Sequence, residues 1–177
     1  KGADVVIHLA ACINVDHSVV EPMKHIQVNT IGTTHIVELC RRYEKELVHI
    51  SSSEVYGTAQ REPQNEDHPQ EPPHIYGISK LAGEKIVLNY HRTYGLPVIV
   101  VRPFNTFGEL QNFDSYGSVI AIFTNNLLHD KPITIFGDGE QVRDYTYIED
   151  TVRGILNIAG SRMYGQPINI GTGRPIS

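Results

Sequence analysis

Several things are scarce in this chain, and each scarcity removes a class of explanation. Cys12 and Cys40 are the only cysteines in 177 residues. Each lies inside an apolar pattern, so free buried thiols in a reducing cytoplasm are expected and a disulfide scaffold is not. No apolar run approaches the roughly 18 residues that a membrane helix needs, and no signal-peptide pattern is present, which predicts a soluble protein with no membrane partner. Basic charge is in deficit. The 15 lysines and arginines face 20 acidic residues for a formal charge of -5, and no basic block offsets this, so a nucleic-acid surface built on phosphate contacts is excluded. The nine histidines are scattered without metal-ligand spacing, and no metal site is expected. Internal repeats and low-complexity tracts are lacking too.

The length fits about one domain with a real core. Val5 to Leu9 reads as an interior strand, ending in the small residues Ala10-Ala11-Cys12, where a backbone can approach a ligand closely. Asp16-His17-Ser18 and Glu21-Pro22 lead to a helix from about Met23 to Tyr43. Gly32 within it suggests close packing, and Asn29 is either a surface residue or a loop anchor. Leu47 to Ile50 is a second strand and Pro97 to Val101 a third. Between them, a proline-rich stretch from Arg61 to His74 predicts a surface loop over the active edge, followed by a helix from Tyr76 to Tyr94 capped by Gly95. Strand alternating with helix is the βαβ pattern of a parallel sheet covered on both faces, so the fold class is α/β, doubly wound. Beyond Gly108 the polar stretch Glu109 to Gly117 precedes a helix over Val119 to Leu128. Further strands are expected at Ile133 to Phe136, Gln141 to Ile148 and Ile168 to Ile170, with a helix opening at Glu149-Asp150-Thr151 in which Asp150 serves as a cap or buried anchor.

Two stretches carry chemistry. Tyr76 and Lys80 stand one helical turn apart on a common face. A phenol titrates near ~10, and an ammonium within about 4–6 Å favours its ionised form. The pair is therefore either a tuned proton donor and acceptor or an exposed tyrosine beside a solvated lysine. Upstream, strand Leu47-Val48-His49-Ile50 stops in Ser51-Ser52-Ser53-Glu54, at the carboxyl edge where open α/β sheets bind ligands. A serine hydroxyl there beside a Tyr/Lys helix suits proton exchange with a substrate hydroxyl.

Read in order, VIHLAA, the Asn29-x-x-Gly32-Thr33 step, SSSEVYG, YGISK, RPFNTFG and IFGDGEQVRDYTYIED resemble the extended short-chain dehydrogenase/reductase family, which includes the nucleotide-sugar epimerases and dehydratases. The resemblance spans almost the whole chain. It implies a Rossmann-like dinucleotide-binding part, residues 1–108, lacking its first βαβ half, and part of a small carboxyl-terminal substrate-binding region, residues 109–177, interleaved with the sheet. It also implies NAD as cofactor, with NADP not excluded, a nucleotide-diphosphate sugar as substrate, and a homodimer paired through the helices near Met23 to Tyr43 and Tyr76 to Tyr94.

By the same resemblance Ser52, Tyr76 and Lys80 take catalytic positions, with Tyr76 as base and Lys80 binding the nicotinamide ribose while lowering the tyrosine's pKa. Leu9, Ala10, Ala11, Asn29, Tyr76, Lys80 and Phe104 fall on cofactor-lining positions, and Ser52, Asn105 and Arg143 on substrate-holding ones. Family enzymes oxidise the sugar at carbon 4 and then epimerise, dehydrate or decarboxylate the keto sugar. Glu54 tilts the expectation toward 4,6-dehydration, because a carboxylate beside carbon 5 removes a proton that epimerisation leaves in place. Ser53 departs from the aspartate that dTDP-glucose 4,6-dehydratases carry there, which keeps 4-epimerisation and UDP-glucuronate decarboxylation open. A catalytically silent binding module is the alternative from another class; such relatives tend to lose the serine, tyrosine or lysine, and all three are present. The glycine-rich phosphate loop and the residue selecting NAD over NADP are not in the sequence, so weak dinucleotide binding by these 177 residues alone is expected.

Overall fold

The computed structural model describes residues 2–113 and 117–177. In chain order the elements are strand β1 (Val5–His8), a short helix α1 (Val15–Val20), α2 (Pro22–His25), a π-wound stretch Ile26–Gly32 and α3 (Thr33–Arg42). Next come β2 (Glu46–Ile50), a 3-10 turn Ser53–Val55, α4 (Ile75–Tyr94), β3 (Val98–Pro103), β4 (Thr106–Phe107) and α5 (Val119–Leu128). The last elements are β5 (Arg143–Asp144), β6 (Thr146–Tyr147), α6 (Ile148–Gly160), β7 (Pro167–Ile170) and β8 (Pro175–Ile176).

Strands β1, β2, β3 and β7 form one parallel sheet in that spatial order. The fold is α/β and Rossmann-like, as expected. β2 and β3 are apolar without alternation because both of their faces are covered. Leu47, Val98 and Val100 pack with Val37, Cys40 and Val87 beneath α3 and α4. Val48, Ile50, Ile99 and Val101 point the other way, against Ile155 of α6 and Ile168 and Ile170 of β7. Burial of this kind contributes roughly 25 cal/mol per Å² of apolar surface, and it fixes the register that brings the strand ends into line. β7, drawn from the far end of the chain, thereby completes the sheet.

α2, the π-wound stretch and α3 run on without a break, and the wider turn places Asn29 where it pins two other segments. Its side chain accepts from Cys12 N (2.8 Å) and donates to Cys12 O (2.9 Å) and to Ser79 Oγ (3.0 Å). Asn29 is thus a buried loop anchor. The close approach expected at Gly32 occurs at Gly83 of α4, where a Cβ would stand 2.8 Å from Asn29 O, while one at Gly32 would meet nothing nearer than 3.6 Å. Gly95 ends α4 in the left-handed conformation with φ 68, which glycine adopts without a Cβ penalty.

Three expectations need correction. Residues 133–136 form no strand: they are exposed and, among the described residues, have no neighbouring strand to pair with. Gln141 to Ile148 is not one strand but the two short pieces β5 and β6, which pair with different partners, β8 and β4. Asp150 is neither cap nor buried anchor; it is exposed and ion-paired with Arg153 at 2.8 Å. Of the polar stretch 109–117, residues 114–116 lie outside the described residues. Cys40 is buried and Cys12 half-buried, and both are free.

Candidate active site

The carboxyl ends of β1, β2 and β3 open on one rim. At the end of β2, Ser52 leaves the strand in extended conformation and caps the 3-10 turn, its Oγ accepting from Glu54 N at 3.2 Å. That turn packs directly on the first turn of α4, because Gly77 has no side chain: a Cβ there would come within 2.7 Å of Glu54 O and of Pro72 Cβ. The result brings the Tyr76 phenol close to the Ser52 hydroxyl and into the field of the Glu54 carboxylate. One turn along, Lys80 is buried and its ammonium donates to Ile50 O at 2.6 Å. Ser52, Glu54, Tyr76 and Lys80 therefore form one cluster.

Its electrostatics differ from expectation. Loss of water around the Tyr76 phenol pushes its pKa up, the Ser52 hydrogen bond pulls it down, and the negative charge of Glu54 pushes it up again. The phenol is held above its ordinary value, not below it, chiefly because burial strips it of water, while the Lys80 amine is engaged by the Ile50 carbonyl. Burial lowers Lys80 to about 8, with Glu84 opposing.

Beneath the cluster lies a buried polar network that the sequence reading missed. Glu84, one turn beyond Lys80, accepts from Ser51 Oγ at 2.8 Å and from Arg102 Nε at 3.0 Å, and pairs with a second Arg102 nitrogen. Arg102 also donates to the hydroxyl of Tyr56 (2.7 Å), which in turn donates to Asn169 Oδ1 of β7 (2.7 Å). Asn169 N and Nδ2 reach Glu66 Oε1 (2.8 Å) and Gln64 O (3.0 Å), securing the proline-rich loop to the sheet. The signal in the sequence was the i, i+4, i+8 spacing of Tyr76, Lys80 and Glu84 on a single helix face; Arg102 at the end of an apolar strand was its counterpart. A buried pair of this kind stands only because every polar atom has a partner.

The remaining expected residues fall around the rim. Leu9 and Ala10 are exposed just past β1, and Ala11 is half-buried. Phe104 follows β3, with its N bonded to Ile170 O at 2.8 Å and its ring stacked on Tyr56 at 6.3 Å. Asn105 is half-buried, and its Nδ2 donates to Asp144 O (3.0 Å), so its amide is engaged with the backbone of β5. Arg143 is exposed, and its Nη1 donates to Val142 O (2.8 Å). The rings of His8 and His49 lie 5.6 Å apart and tilted to each other; His49 is fully buried with neither ring nitrogen bonded, and burial holds its pKa well down. Among the described residues no group of three or more His, Cys, Asp or Glu is arranged to hold a metal ion, and no helix is long and apolar enough to cross a membrane.

A family model described as the NAD dependent epimerase/dehydratase family matches residues 1–171. The chain belongs to that family. It is similar to the UDP-glucose 4-epimerase of Mycolicibacterium smegmatis, 37% identical over 96% of this chain and 55% of the relative. It is also similar to the dTDP-glucose 4,6-dehydratase of Haemophilus influenzae, 35% identical over 95% of this chain and 52% of the relative. Among solved structures, the UDP-glucuronic acid 4-epimerase of Bacillus cereus, in complex with UDP-glucuronic acid and NAD, superposes with a TM-score of 0.91 at 35% identity, covering 98% of this chain and 55% of that one. The chain thus spans about half the length of the relatives it matches. Membership in this family does not separate epimerase from dehydratase, since relatives of both kinds match to the same degree.

Proposed function

We propose that the protein modifies a nucleotide-diphosphate sugar through a 4-keto sugar, with NAD as its hydride carrier. The observation that carries this reading is that Ser52, Glu54 and Tyr76 are brought together at the open edge of a parallel sheet, with Lys80 one turn below. The residues present fit NAD: the rim past β1 offers Leu9, Ala10 and Ala11, Asn29 braces that loop through Cys12, and Phe104 lies across the rim. Bound NAD would supply the acceptor and donor of hydride. The chain's own share is positioning and proton exchange: Ser52 orients the sugar hydroxyl, Tyr76 takes and returns its proton, and Lys80 holds the ribose side of the site. Burial raises the Tyr76 phenol here, which favours its protonated form.

Glu54, close enough to load the Tyr76 phenol electrostatically, favours 4,6-dehydration, for which a second proton acceptor is needed. The second reading, 4-epimerisation, is supported by Ser53 in place of an acid and by the similarity to a 4-epimerase; decarboxylation of a UDP-glucuronate is the third possible outcome. Incubating the full-length protein with UDP-, dTDP- and GDP-linked sugars and weighing the products distinguishes loss of water, loss of carbon dioxide and unchanged mass. Tyr76→Phe should lower turnover by about 100-fold or more in each case, and activity close to wild type in that variant would remove the mechanism. Glu54→Gln should stop dehydration and spare epimerisation. Exposed Met23, Ile31, Leu39 and Tyr43, with Ile78 and Tyr94 of α4, support pairing of two copies through these helices, which sedimentation of the full-length protein reads directly.

A further inference from the structure

Two histidines stand beside Tyr76 without entering the proposed proton exchange. His25, the last residue of α2, is fully buried. Its Nε2 lies 3.1 Å from Nδ1 of His17 on α1, within hydrogen-bond distance, and the two rings are tilted to each other at 5.4 Å. The same imidazole meets the Tyr76 ring edge to face, at 6.2 Å and 83°. Aromatic pairs favour this arrangement. Both α1 and α2 pack against α4, so the contact joins neighbouring helices.

His25 Nδ1 has no hydrogen-bond partner among the described residues. The His17 bond is therefore the one hydrogen bond that orients the buried ring. His17 is itself held from two sides: Asn14 Oδ1 accepts from His17 N at 2.8 Å, and Glu21 Oε2 lies 3.7 Å from His17 Nε2. Contacts thus run from an exposed carboxylate through two imidazoles to the Tyr76 ring. Ser52 and Glu54 act on the Tyr76 hydroxyl, and His25 on the ring that carries it. A neighbour set edge-on to a phenol ring limits its rotation, and small errors in the aim of a reacting group are costly in rate.

Protons decide whether the pair holds together. One hydrogen between the facing nitrogens makes the bond in the neutral pair and in the pair with one added proton; with two added, N–H faces N–H and the bond is lost. Burial, and then the charges of His17 and Lys24, make His25 harder to charge than an ordinary imidazole, while Glu21 opposes them. From α4 it faces the Tyr76 phenol, and the π-wound stretch Ile26–Gly32 contains no titratable residue. The doubly charged pair is accordingly confined to acid pH.

We propose that His25 is a positioning residue for Tyr76, oriented by His17, and that it aims the phenol at the sugar hydroxyl only while one hydrogen joins the two imidazoles. This rests on the reading of Tyr76 as the group that takes and returns the substrate proton, and the test separates the two.

Steady-state kinetics of the full-length protein on whichever nucleotide sugar it converts, from about pH 5 to about pH 8, reads the state of the pair. His17→Leu, which removes the bond, should lower kcat about tenfold and leave KM within about twofold of wild type. His17→Asn, whose amide donates from the δ position and takes up no proton, should recover most of kcat and hold it at the acid end, where wild type declines. If Tyr76→Phe is inactive while His17→Leu stays within about twofold of wild type, the positioning role is refuted and the Tyr76 reading stands. Equal losses in both His17 variants, or a KM that rises as kcat falls, also overturn it, because they would mark a collapsed α1. So does an acid decline in His17→Asn that matches wild type. An active Tyr76→Phe enzyme, or no conversion of any nucleotide sugar, removes both ideas.

Discussion

Every residue from Leu47 to Ile50 and from Val98 to Val101 is buried, whereas no described residue between Glu109 and Val142 is. In the first region strands, helices and a polar network brace one another, and the cluster of Ser52, Tyr76 and Lys80 sits on that support. In the second, α5 presents Val119, Leu127 and Leu128 to solvent, and its groove of about 490 Å³ is lined by Phe107, Leu110, Phe113, Ile120 and Tyr147 among others. The difference locates two kinds of sensitivity. Changes in the first region should act on stability and on proton handling together; changes in the second should act on ligand recognition and leave unfolding nearly untouched.

The severest test of that contrast is the buried pair. Glu84→Ala leaves Arg102 charged, buried and without its carboxylate, and breaking one side of such a pair costs about 3–5 kcal/mol. Leu128→Ser, on exposed α5, should shift stability by no more than about 0.5 kcal/mol. Urea unfolding of both variants compares the regions directly. Equal losses would mean that α5 is part of the same cooperative core.

A pH series sharpens the comparison. The folded-state pKa of Lys80 is depressed to about 8 from 10.5, so the folded state gives up this proton more readily than the unfolded chain does. For a depressed group the stabilisation is complete above the unfolded value and is lost as pH falls through the folded one. Lys80 therefore makes stability rise between pH 8 and 10.5, over the interval its two values define. Lys80→Met should flatten that part of the rise in the urea midpoint, and a profile parallel to wild type would show that the amine is not desolvated.

The extent to which these regions could be read from sequence follows the same division. β2, β3, α4 and the Gly95 cap were legible because hydrophobic runs and a left-handed glycine are local signals, and the local preference agrees with the tertiary environment. That Ser52, Tyr76 and Lys80 meet at one edge of the sheet was legible through their motif. The π-wound stretch around Asn29, the short helix α1 and the Glu84 to Arg102 pair were not, since each is decided by contacts between segments far apart in the chain. Ile133 to Phe136 failed for the complementary reason: β-branched residues favour a strand, but a strand needs a neighbour to pair with, and none reaches it among the described residues. The raised phenol of Tyr76 was likewise unreadable, because it follows chiefly from burial among segments distant in the chain.

Two glycines give the finest comparison. Gly77 lies where the 3-10 turn meets α4, and a Cβ would press within 2.7 Å of the backbone oxygen of Glu54; backbone cannot yield as a flexible side chain does, so Gly77→Ala should cost roughly 1–3 kcal/mol. The same push would displace Glu54 and Ser52 from Tyr76, so turnover should fall more than stability does. Gly160, at the end of α6, has no atom within 4 Å of a built Cβ and no left-handed backbone angle. Gly160→Ala should therefore stabilise by roughly 0.4–1 kcal/mol, acting through the entropy of the unfolded chain, with turnover unchanged. Thermal unfolding and product formation measured on the two variants place them on opposite sides of wild type in stability, and only Gly77→Ala apart from it in activity; an active Gly77→Ala enzyme would mean that the serine and tyrosine tolerate a shift of the turn that carries them.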